Sequence, residues 1–517
     1  MAIIDFFDRG WSMDPTAVAY TTGTEVWSYE DAGRMSCRIA NGLLADGLQR
    51  ETKIAVLSPN APLAWVCVLG IWRAGGAWVP LNPGNPAEDN ASLIERFDVE
   101  TLFYDPVLAP QVEVVRERTP LVRFIALSES TGDLDLQSWV SEQPDTRPEV
   151  DYDLDDVIAV SSTGGTTGLP KGVMNTHRSF SVMVAHHLIA FHYEEDERVV
   201  NLAAAPMTHS AGILTLHASA MGGSVVIVPR AVPDAILEAI ETQGVTELFL
   251  PPTALYRLLE VLEERPVDTS SLRYIIYGAA PMSVEKLRVG IEKLGPVFVE
   301  VYGQTEAPAA IAFLRPGEHL VGGEIAGEER LGSCGRPYPL TSVAIKDPET
   351  GTAVAQGETG EVCVRGDLLM KGYYKDPEQT AATIRDGWLH TGDLGHLDPE
   401  GYLRLTDRTK DMIITGGFNV YPSEVEQVIW SHEDVEDCAV VGVPDEDWGE
   451  MVTAVVEAKP GRTIDEAEII ALCRAALGPV RTPKQVIVTD QLPRSVNGKV
   501  LKKDVRASFW AGKQRAI

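Results

Sequence analysis

From residue 53 to residue 301, short runs of β-branched and apolar residues alternate with segments of helical spacing. That is the pattern of parallel sheets covered by helices. Strand-like runs fall at 53–58, 77–81, 101–105, 122–127, 157–160, 199–204, 224–229, 247–251, 273–277 and 297–301. Before and between them, 31–48, 62–74, 233–243 and 283–294 carry helical spacing, each interrupted or ended by Gly or Pro. From 332 to 405 the apolar runs shorten and turn residues multiply, which predicts a β-rich subdomain at about 331–406. After Asp407 the pattern predicts a helix at 423–430, strands at 439–443 and 452–458, a helix at 465–477 and a strand at 485–488, a compact α+β domain. The expected fold is therefore α/β: a large N-terminal domain, 1–409, of helix-covered and mostly parallel sheets plus the β-rich subdomain, and a small C-terminal domain, 410–517. The boundary near 407–411 is charged rather than Pro/Gly-rich, so it reads as a hinge and not a floppy tether.

Composition narrows the function. A chain of 517 residues, 44% of them hydrophobic, is long enough for more than one core. A formal net charge of −31 argues against nucleic acid as a bulk partner and against attraction to an anionic membrane surface. If the substrate is an anionic nucleotide, positive charge has to be concentrated locally, so lysines and arginines inside motifs gain weight. Cys37, Cys67, Cys334, Cys363, Cys438 and Cys473 are scattered without a Cys-x-x-Cys pair, which suggests neither a zinc site nor a disulfide framework. The first residues are acidic where a signal peptide would be basic, and the longest apolar run, 63–72, is too short to span a bilayer. A cytoplasmic enzyme with no integral membrane segment is expected; a homodimer is the base-rate expectation.

The densest chemistry lies at 161–172, Ser-Ser-Thr-Gly-Gly-Thr-Thr-Gly-Leu-Pro-Lys-Gly. Here Gly164, Gly165 and Gly168 allow backbone N–H groups to curl around an anion, Thr163, Thr166 and Thr167 add hydroxyl donors, and Lys171 adds a positive charge. The segment follows a strand-like run and precedes a helix-like run from about residue 179, where α/β sheets place ligands. It is not a Walker A loop, because Pro170 separates the glycines from Lys171 and Gly172 follows the lysine.

Tyr302-Gly303-Gln304-Thr305-Glu306 ends the run 297–301, so its side chains should emerge at the carboxyl edge of a sheet, where Glu306 can bind Mg²⁺ bridging phosphates. Asp393, in His-Thr-Gly-Asp, can accept hydrogen bonds from vicinal ribose hydroxyls, although alone it reads equally as a turn cap. Arg408 and Lys410 precede the Gly416-Gly417 pair, which permits close approach of a ligand or simply makes a turn. Ser423 with Glu426 fits a capping box. Lys499 follows a glycine in a tight loop and can be presented to a distant site, while the bland alternative is a solvated lysine. His209, between a strand and an apolar helix, lines a pocket or is a satisfied structural histidine.

The order and separation of these segments together resemble the adenylate-forming enzymes: acyl- and aryl-CoA synthetases, luciferases and peptide-synthetase adenylation domains. The likeness covers nearly the whole chain, through the phosphate loop at 163–172, Tyr-Gly-x-Thr-Glu at 302–306, Trp-x-x-Thr-Gly-Asp at 388–393, the hinge and Gly-Gly segment at 409–426, and Pro-x-x-x-x-Gly-Lys at 493–499. The resemblance implies an active site between the large domain and a mobile small one, with Lys410 as hinge. It implies that ATP and Mg²⁺ convert a carboxylic acid to an acyl-adenylate, with Lys499 stabilising charge at the transferring phosphoryl group. By the same resemblance Thr163, Thr166, Thr167 and Lys171 hold phosphates, Thr305 and Glu306 serve phosphate and Mg²⁺, and Asp393 and Arg408 hold ribose with Tyr302 nearby. His209, Gly278, Ala279, Ala280 and Gly303 would line the acyl pocket, and Gly416-Gly417 would form a tunnel for an incoming thiol after the small domain rotates. One departure is Gly164, which stands where most members have serine and removes a hydroxyl donor.

An acid–CoA ligase acting on a hydrophobic acid, medium-chain, aromatic or alicyclic, is the expected activity. An amide synthetase would form the same adenylate and pass it to an amine. A stand-alone adenylation domain feeding a carrier protein is a third reading, and a non-catalytic relative a fourth, against which the joint presence of Glu306, Asp393, Arg408 and Lys499 argues.

Overall fold

Two sheets share one core. The computed structural model describes residues 1–517 apart from 120, 121, 131, 164–169, 195, 196, 409, 410, 446, 447, 496, 497, 511–517 and the side chain of Ser210. The elements that shape the site are, in chain order, β1 (Val157–Thr163), β2 (Lys171–Thr176), α1 (His177–Ala190), β3 (Val200–Ala203), β4 (Glu247–Leu250), α2 (Pro252–Glu264), β5 (Tyr274–Gly278), β6 (Phe298–Gln304), β7 (Ala307–Leu314), β8 (Gly360–Arg365), β9 (Gly372–Tyr373), β10 (Trp388–Leu397), β11 (Leu403–Arg408), β12 (Ile413–Thr415), β13 (Phe418–Val420), α3 (Pro422–Trp430) and α4 (Lys502–Trp510).

The first sheet runs β9, β2, β1 and then 77–80, 53–57, 99–104, 123–126 and 134–135; the last six strands are parallel and the first two join antiparallel. The second runs 336–337, β7, β6, β5, β4, β3, 224–227, 18–21 and 26–28, parallel from β6 to 18–21. Strand alternation divides the second sheet cleanly. Ala203, Ile276, Val299 and Val301 face a core shared with Ile54, Val56 and Ile158 of the first sheet, and the helix Pro62–Arg73 and α1 contribute Trp65, Trp72, Phe180 and Val184 to it. Trp65, Trp72 and Trp78 meet edge to face at 5.5 to 5.9 Å, so this interior is closely packed. The opposite faces of the same strands carry Val200, Leu202, Leu248, Leu250, Ile275 and Tyr277 against helices including α2.

The segment after 331 is β-rich, as its texture predicts: Ser342–Lys346, β8, β10 and Ile384–Arg385 form an antiparallel sheet with β11 attached to β10. The C-terminal part has its own sheet, β13, β12, Gly449–Ala458 and Val435–Asp445, with Gln485–Thr489 added in parallel, and its own core around Val425, Ile429, Val440 and Val456. The six cysteines are all free and buried. Among the described residues no helix is long and apolar enough to cross a membrane.

Two local expectations need correction. A strand, β2, stands between the glycine-rich loop and the helix α1, so the loop is the tip of a β-hairpin and not a strand-to-helix turn. The capping box at 423–426 does not form. Pro422 takes the first helical position of α3, Tyr421 is the N-cap without a side-chain bond, and the Ser423 hydroxyl donates to the carbonyl of Thr406 instead. Glu426 is buried and pairs with Lys502 at 2.8 Å.

Candidate active site

The hairpin stems fix the ends of the glycine-rich loop. Thr163 faces Lys171 in antiparallel register. Gly164, Gly165, Thr166, Thr167 and Gly168 lie outside the described residues. The Lys171 ammonium sits 4.9 Å from the ring centroid of Tyr373, a cation–π distance. The Tyr373 hydroxyl in turn donates to Glu306 Oε1 at 2.8 Å. Burial, then the Glu306 charge, raises the Tyr373 pKa, which keeps the phenol a donor. Tyr373 thus links the lysine of the loop to Glu306, and nothing in the sequence singled it out.

Tyr302, Gly303 and Gln304 are the last residues of β6, and Thr305-Glu306 make the turn into β7. The turn is held from two sides: Asn175 Nδ2 on β2 donates to the Thr305 carbonyl at 3.1 Å, and the Met370 amide donates to that of Glu306 at 2.9 Å. Gly303 is required by space, since a Cβ there would lie 2.6 Å from the Ala309 amide nitrogen.

Asp393, on β10, comes to the same edge. Its carboxylate accepts from Tyr302 Oη at 2.7 Å and Gln304 Nε2 at 3.4 Å, and pairs with Arg408 Nε at 3.1 Å. Burial and then Asp393 push the Tyr302 hydroxyl well above its ordinary pKa, and Asp393 raises that of Arg408. The turn carrying Asp393 is positioned by Glu361 on β8, which accepts from the Gly392 amide at 3.1 Å and lies 2.6 Å from His390 Nδ1. Glu361, Cys363 and His390 approach one another closely, but the carboxylate is already engaged in holding the turn.

Deeper in, β5 ends at Gly278, where a Cβ would meet the Val301 carbonyl at 2.3 Å. Ala279 follows with φ of 64°, and Ala309, packed against Gly303, has φ of 50°, two non-glycine residues in the left-handed region, a costly conformation that clusters at functional sites. Ala280 is part of the turn after Ala279. His209 sits in an irregular turn at Met207–Ala211, its amide bonded to the Pro206 carbonyl, and burial lowers its pKa so that it is mostly neutral at pH 7.

In the C-terminal domain, Gly416 and Gly417 both take positive φ, 57° and 82°, in the two-residue hairpin between β12 and β13, a turn type that demands them. Beside this hairpin Phe418 and Trp448 are exposed. Lys499 is exposed on another hairpin, whose Ser495 amide donates to the Lys499 carbonyl and whose Arg494 is clamped by Asp437 and Glu457 at 2.7 and 2.9 Å. Its neighbour Gly498 packs against Thr253 at the start of α2, at the carboxyl end of β4. Gln427 of α3 anchors the domain nearby by donating to the Met282 carbonyl at 2.9 Å. Lys410 lies outside the described residues. The structure therefore brings Lys171, Tyr302, Glu306, Asp393 and Arg408 into one linked array, and sets the Lys499 hairpin against the large domain at Thr253.

Residues 7–374 match the model of the AMP-binding enzyme family, and 424–499 that of the AMP-binding enzyme C-terminal domain. The chain belongs to the AMP-binding enzyme family. Its relatives include a medium/long-chain-fatty-acid–CoA ligase of Mycobacterium tuberculosis, 37% identical over 94% of this chain and 86% of that protein, and a feruloyl-CoA synthase of Amycolatopsis, 37% identical over 96% and 97%. Among solved structures, the amide bond synthetase McbA of Marinactinospora thermotolerans superposes with a TM-score of 0.88 at 32% identity, covering 98% of this chain and all of that one. As a member of this family the chain is a ligase built to bind AMP-containing nucleotide, and its relatives by sequence include acid–CoA ligases and a fatty acid–[acyl-carrier-protein] ligase of Streptomyces coeruleorubidus, 31% identical over 98% of this chain and 96% of that protein.

The role of Tyr373 is open to direct test. Tyr373→Phe keeps the ring under Lys171 and removes the hydroxyl from Glu306. The expected result is an increase of about fivefold to tenfold in KM for ATP, the cost of one net hydrogen bond of about 1–1.5 kcal/mol, with little change in KM for the acid. An unchanged KM for ATP would show that Tyr373 only packs.

Proposed function

We propose that this enzyme activates a hydrophobic carboxylic acid, medium-chain, aromatic or alicyclic, to an acyl-adenylate and transfers the acyl group to CoA, releasing AMP and pyrophosphate. The observation that carries the reading is the linked array at the sheet edge, in which Asp393 gathers Tyr302, Gln304 and Arg408 while Tyr373 ties Glu306 to Lys171. Asp393 and Arg408 would hold ribose. Thr163, Thr166, Thr167 and Lys171 would cradle the phosphates, with Thr305 beside them. The donor set fits Mg²⁺: with Glu306 Oε1 engaged by Tyr373, Oε2 is the hard oxygen a cation would take, and the ion would supply charge neutralisation at the phosphates. Lys499 would meet the negative charge that grows as the carboxylate attacks the α-phosphate, and the docking of its hairpin at α2 favours this first half-reaction. His209 would stand at the mouth of the acyl pocket floored by Gly278, Ala279, Ala280 and Gly303. Rotation about Lys410 would then exchange the Lys499 hairpin for that of Gly416-Gly417, whose exposed Phe418 and Trp448 offer a surface for the thiol's arm.

CoA as acceptor is favoured by the names of most of the sequence relatives, a carrier-protein thiol by one of them, and an amine acceptor by the structural likeness to McbA. Pyrophosphate release across a panel of acids, with product masses from parallel reactions containing CoA, amines or neither, separates them. A thioester mass is expected. Amide without thioester would replace the proposed acceptor, and no release with any acid would overturn the reading.

A further inference from the structure

Below the sheet edge lies a partly open cavity with about 20 Å³ of room for the centre of a water-sized group, lined by His187, Asn201, Ala211, Phe249, Ile276 and Val301 among others. Its place relative to the edge follows from the chain. Ile276 stands two residues before Gly278, Val301 two before Gly303, and Ala211 two after His209. Two strand residues span about 7 Å, so an acid whose carboxylate sits at the edge reaches this cavity with its far end after roughly the length of one ring and its substituent.

The cavity is not uniformly apolar. His187 is 2% exposed, and beyond a weak contact with the Ala309 backbone neither ring nitrogen makes a well-formed hydrogen bond among the described residues. Buried polar atoms without partners are rare enough to need a reason. Beside it, Glu247 accepts from Asn201 Nδ2 at 2.7 Å and from Tyr193 Oη at 2.6 Å, and lies 2.7 Å from His217 Nε2, leaving His217 Nδ1 without a partner among the described residues. Packing against His217 and Phe191, both at 5.4 Å between ring centroids, fixes the His187 ring in place. Burial drives its pKa well below the ordinary value, with the Ala309 backbone opposing, so the imidazole is neutral and offers one donor and one acceptor.

We propose that His187 reads a neutral hydrogen-bonding group, a hydroxyl or carbonyl, at the end of the acid remote from its carboxylate, so that the substrate is a compact ring-bearing acid with a polar tip. The inference rests on the adenylation reading above and deepens it. A long alkyl chain would fill neither the small volume nor the ring nitrogens, and a second carboxylate would place an unpaired charge within reach of the Glu247 cluster.

Pyrophosphate release is measured for shape-matched pairs, para-hydroxybenzoate with para-toluate and para-hydroxyphenylpropanoate with its para-methyl counterpart, together with benzoate, cyclohexanecarboxylate and octanoate. In whichever pair is turned over, the wild type is expected to favour the hydroxyl member at least tenfold in kcat/KM. His187→Leu should invert that preference, and His187→Gln, which keeps hydrogen-bonding capacity, should preserve it. Equal turnover of both members by the wild type overturns the proposal without any variant, as does an equal loss on both members in His187→Leu. Turnover of octanoate or the unsubstituted acids alone sinks this inference and leaves adenylation standing, whereas no release with any acid sinks both.

Discussion

Alanine at position 499 is expected to lower acid- and ATP-dependent pyrophosphate release by about 10²- to 10³-fold, the usual cost of removing one pre-placed group that stabilises developing charge. Transfer of the acyl group from preformed acyl-adenylate to CoA should stay within a factor of about three, because the phosphoryl chemistry is then complete. The split between the two half-reactions is the informative quantity. The backbone of the Lys499 hairpin is held without its side chain: Gly498 takes φ of 80°, Ser495 bonds across the turn, and Arg494 is locked between Asp437 and Glu457. Removing the ammonium should therefore leave the hairpin's shape and the small domain's fold unchanged. Lys499→Arg should recover only part of the lost rate, since a planar fork replaces a compact charge. Unchanged pyrophosphate release in Lys499→Ala would refute the assigned role, and an equal loss in both half-reactions would place Lys499 in a step common to them.

The sequence made the large features legible because they are local. The runs expected at 53–58, 77–81, 157–160, 247–251 and 273–277 announce themselves by largely apolar sequence, since parallel strands are buried on both faces. The segment 161–172 stood out from its own residues, glycines and hydroxyls closed by one lysine. What stayed hidden is what only tertiary pairing creates. β2 reads poorly as a strand because Gly172 and Asn175 interrupt its apolar pattern, yet Gly172 is needed where a Cβ would strike the Phe97 ring at 2.7 Å. Tyr373 reaches Glu306 only because β9 pairs with β2, two hundred residues away in sequence. Glu361 reaches the turn before Asp393 across the β8–β10 ladder. His187 carries no signal at all in a helix that also contains His177 and His186, and its meaning comes from the cavity it faces. The failed capping box at 423–426 is instructive in the other direction: the local rule was satisfied on paper, but the proline at 422 claimed the first helical position and Lys502 claimed Glu426.

Glu247→Ala is expected to destabilise the large domain by about 3–5 kcal/mol, the cost of removing one partner from a buried polar cluster. The side chain is fully buried at the start of β4, and its loss would strand the Asn201 amide, the Tyr193 hydroxyl and His217 together. Glu247→Gln, which keeps the shape but can no longer accept at both oxygens, should cost less. The pH dependence has a definite sign. Burial alone would raise the carboxyl's pKa, but the contacts with His217, Tyr193 and Asn201 outweigh it and hold the group below its ordinary value. A depressed folded-state pKa means that the stabilisation is present above the unfolded value, about 4.3, and is lost as pH falls through the lower folded value. The gap between wild type and Glu247→Ala in urea unfolding should therefore be widest near neutral pH and narrow in acid. A difference below about 1 kcal/mol at pH 7, or a gap that widens as pH falls, would mean that the cluster does not hold its charge as the geometry requires. Because this same cluster backs the cavity that His187 faces, a destabilised Glu247→Ala that still folds should also blur the preference for polar-tipped acids, while His187→Leu should change that preference with a much smaller loss of stability.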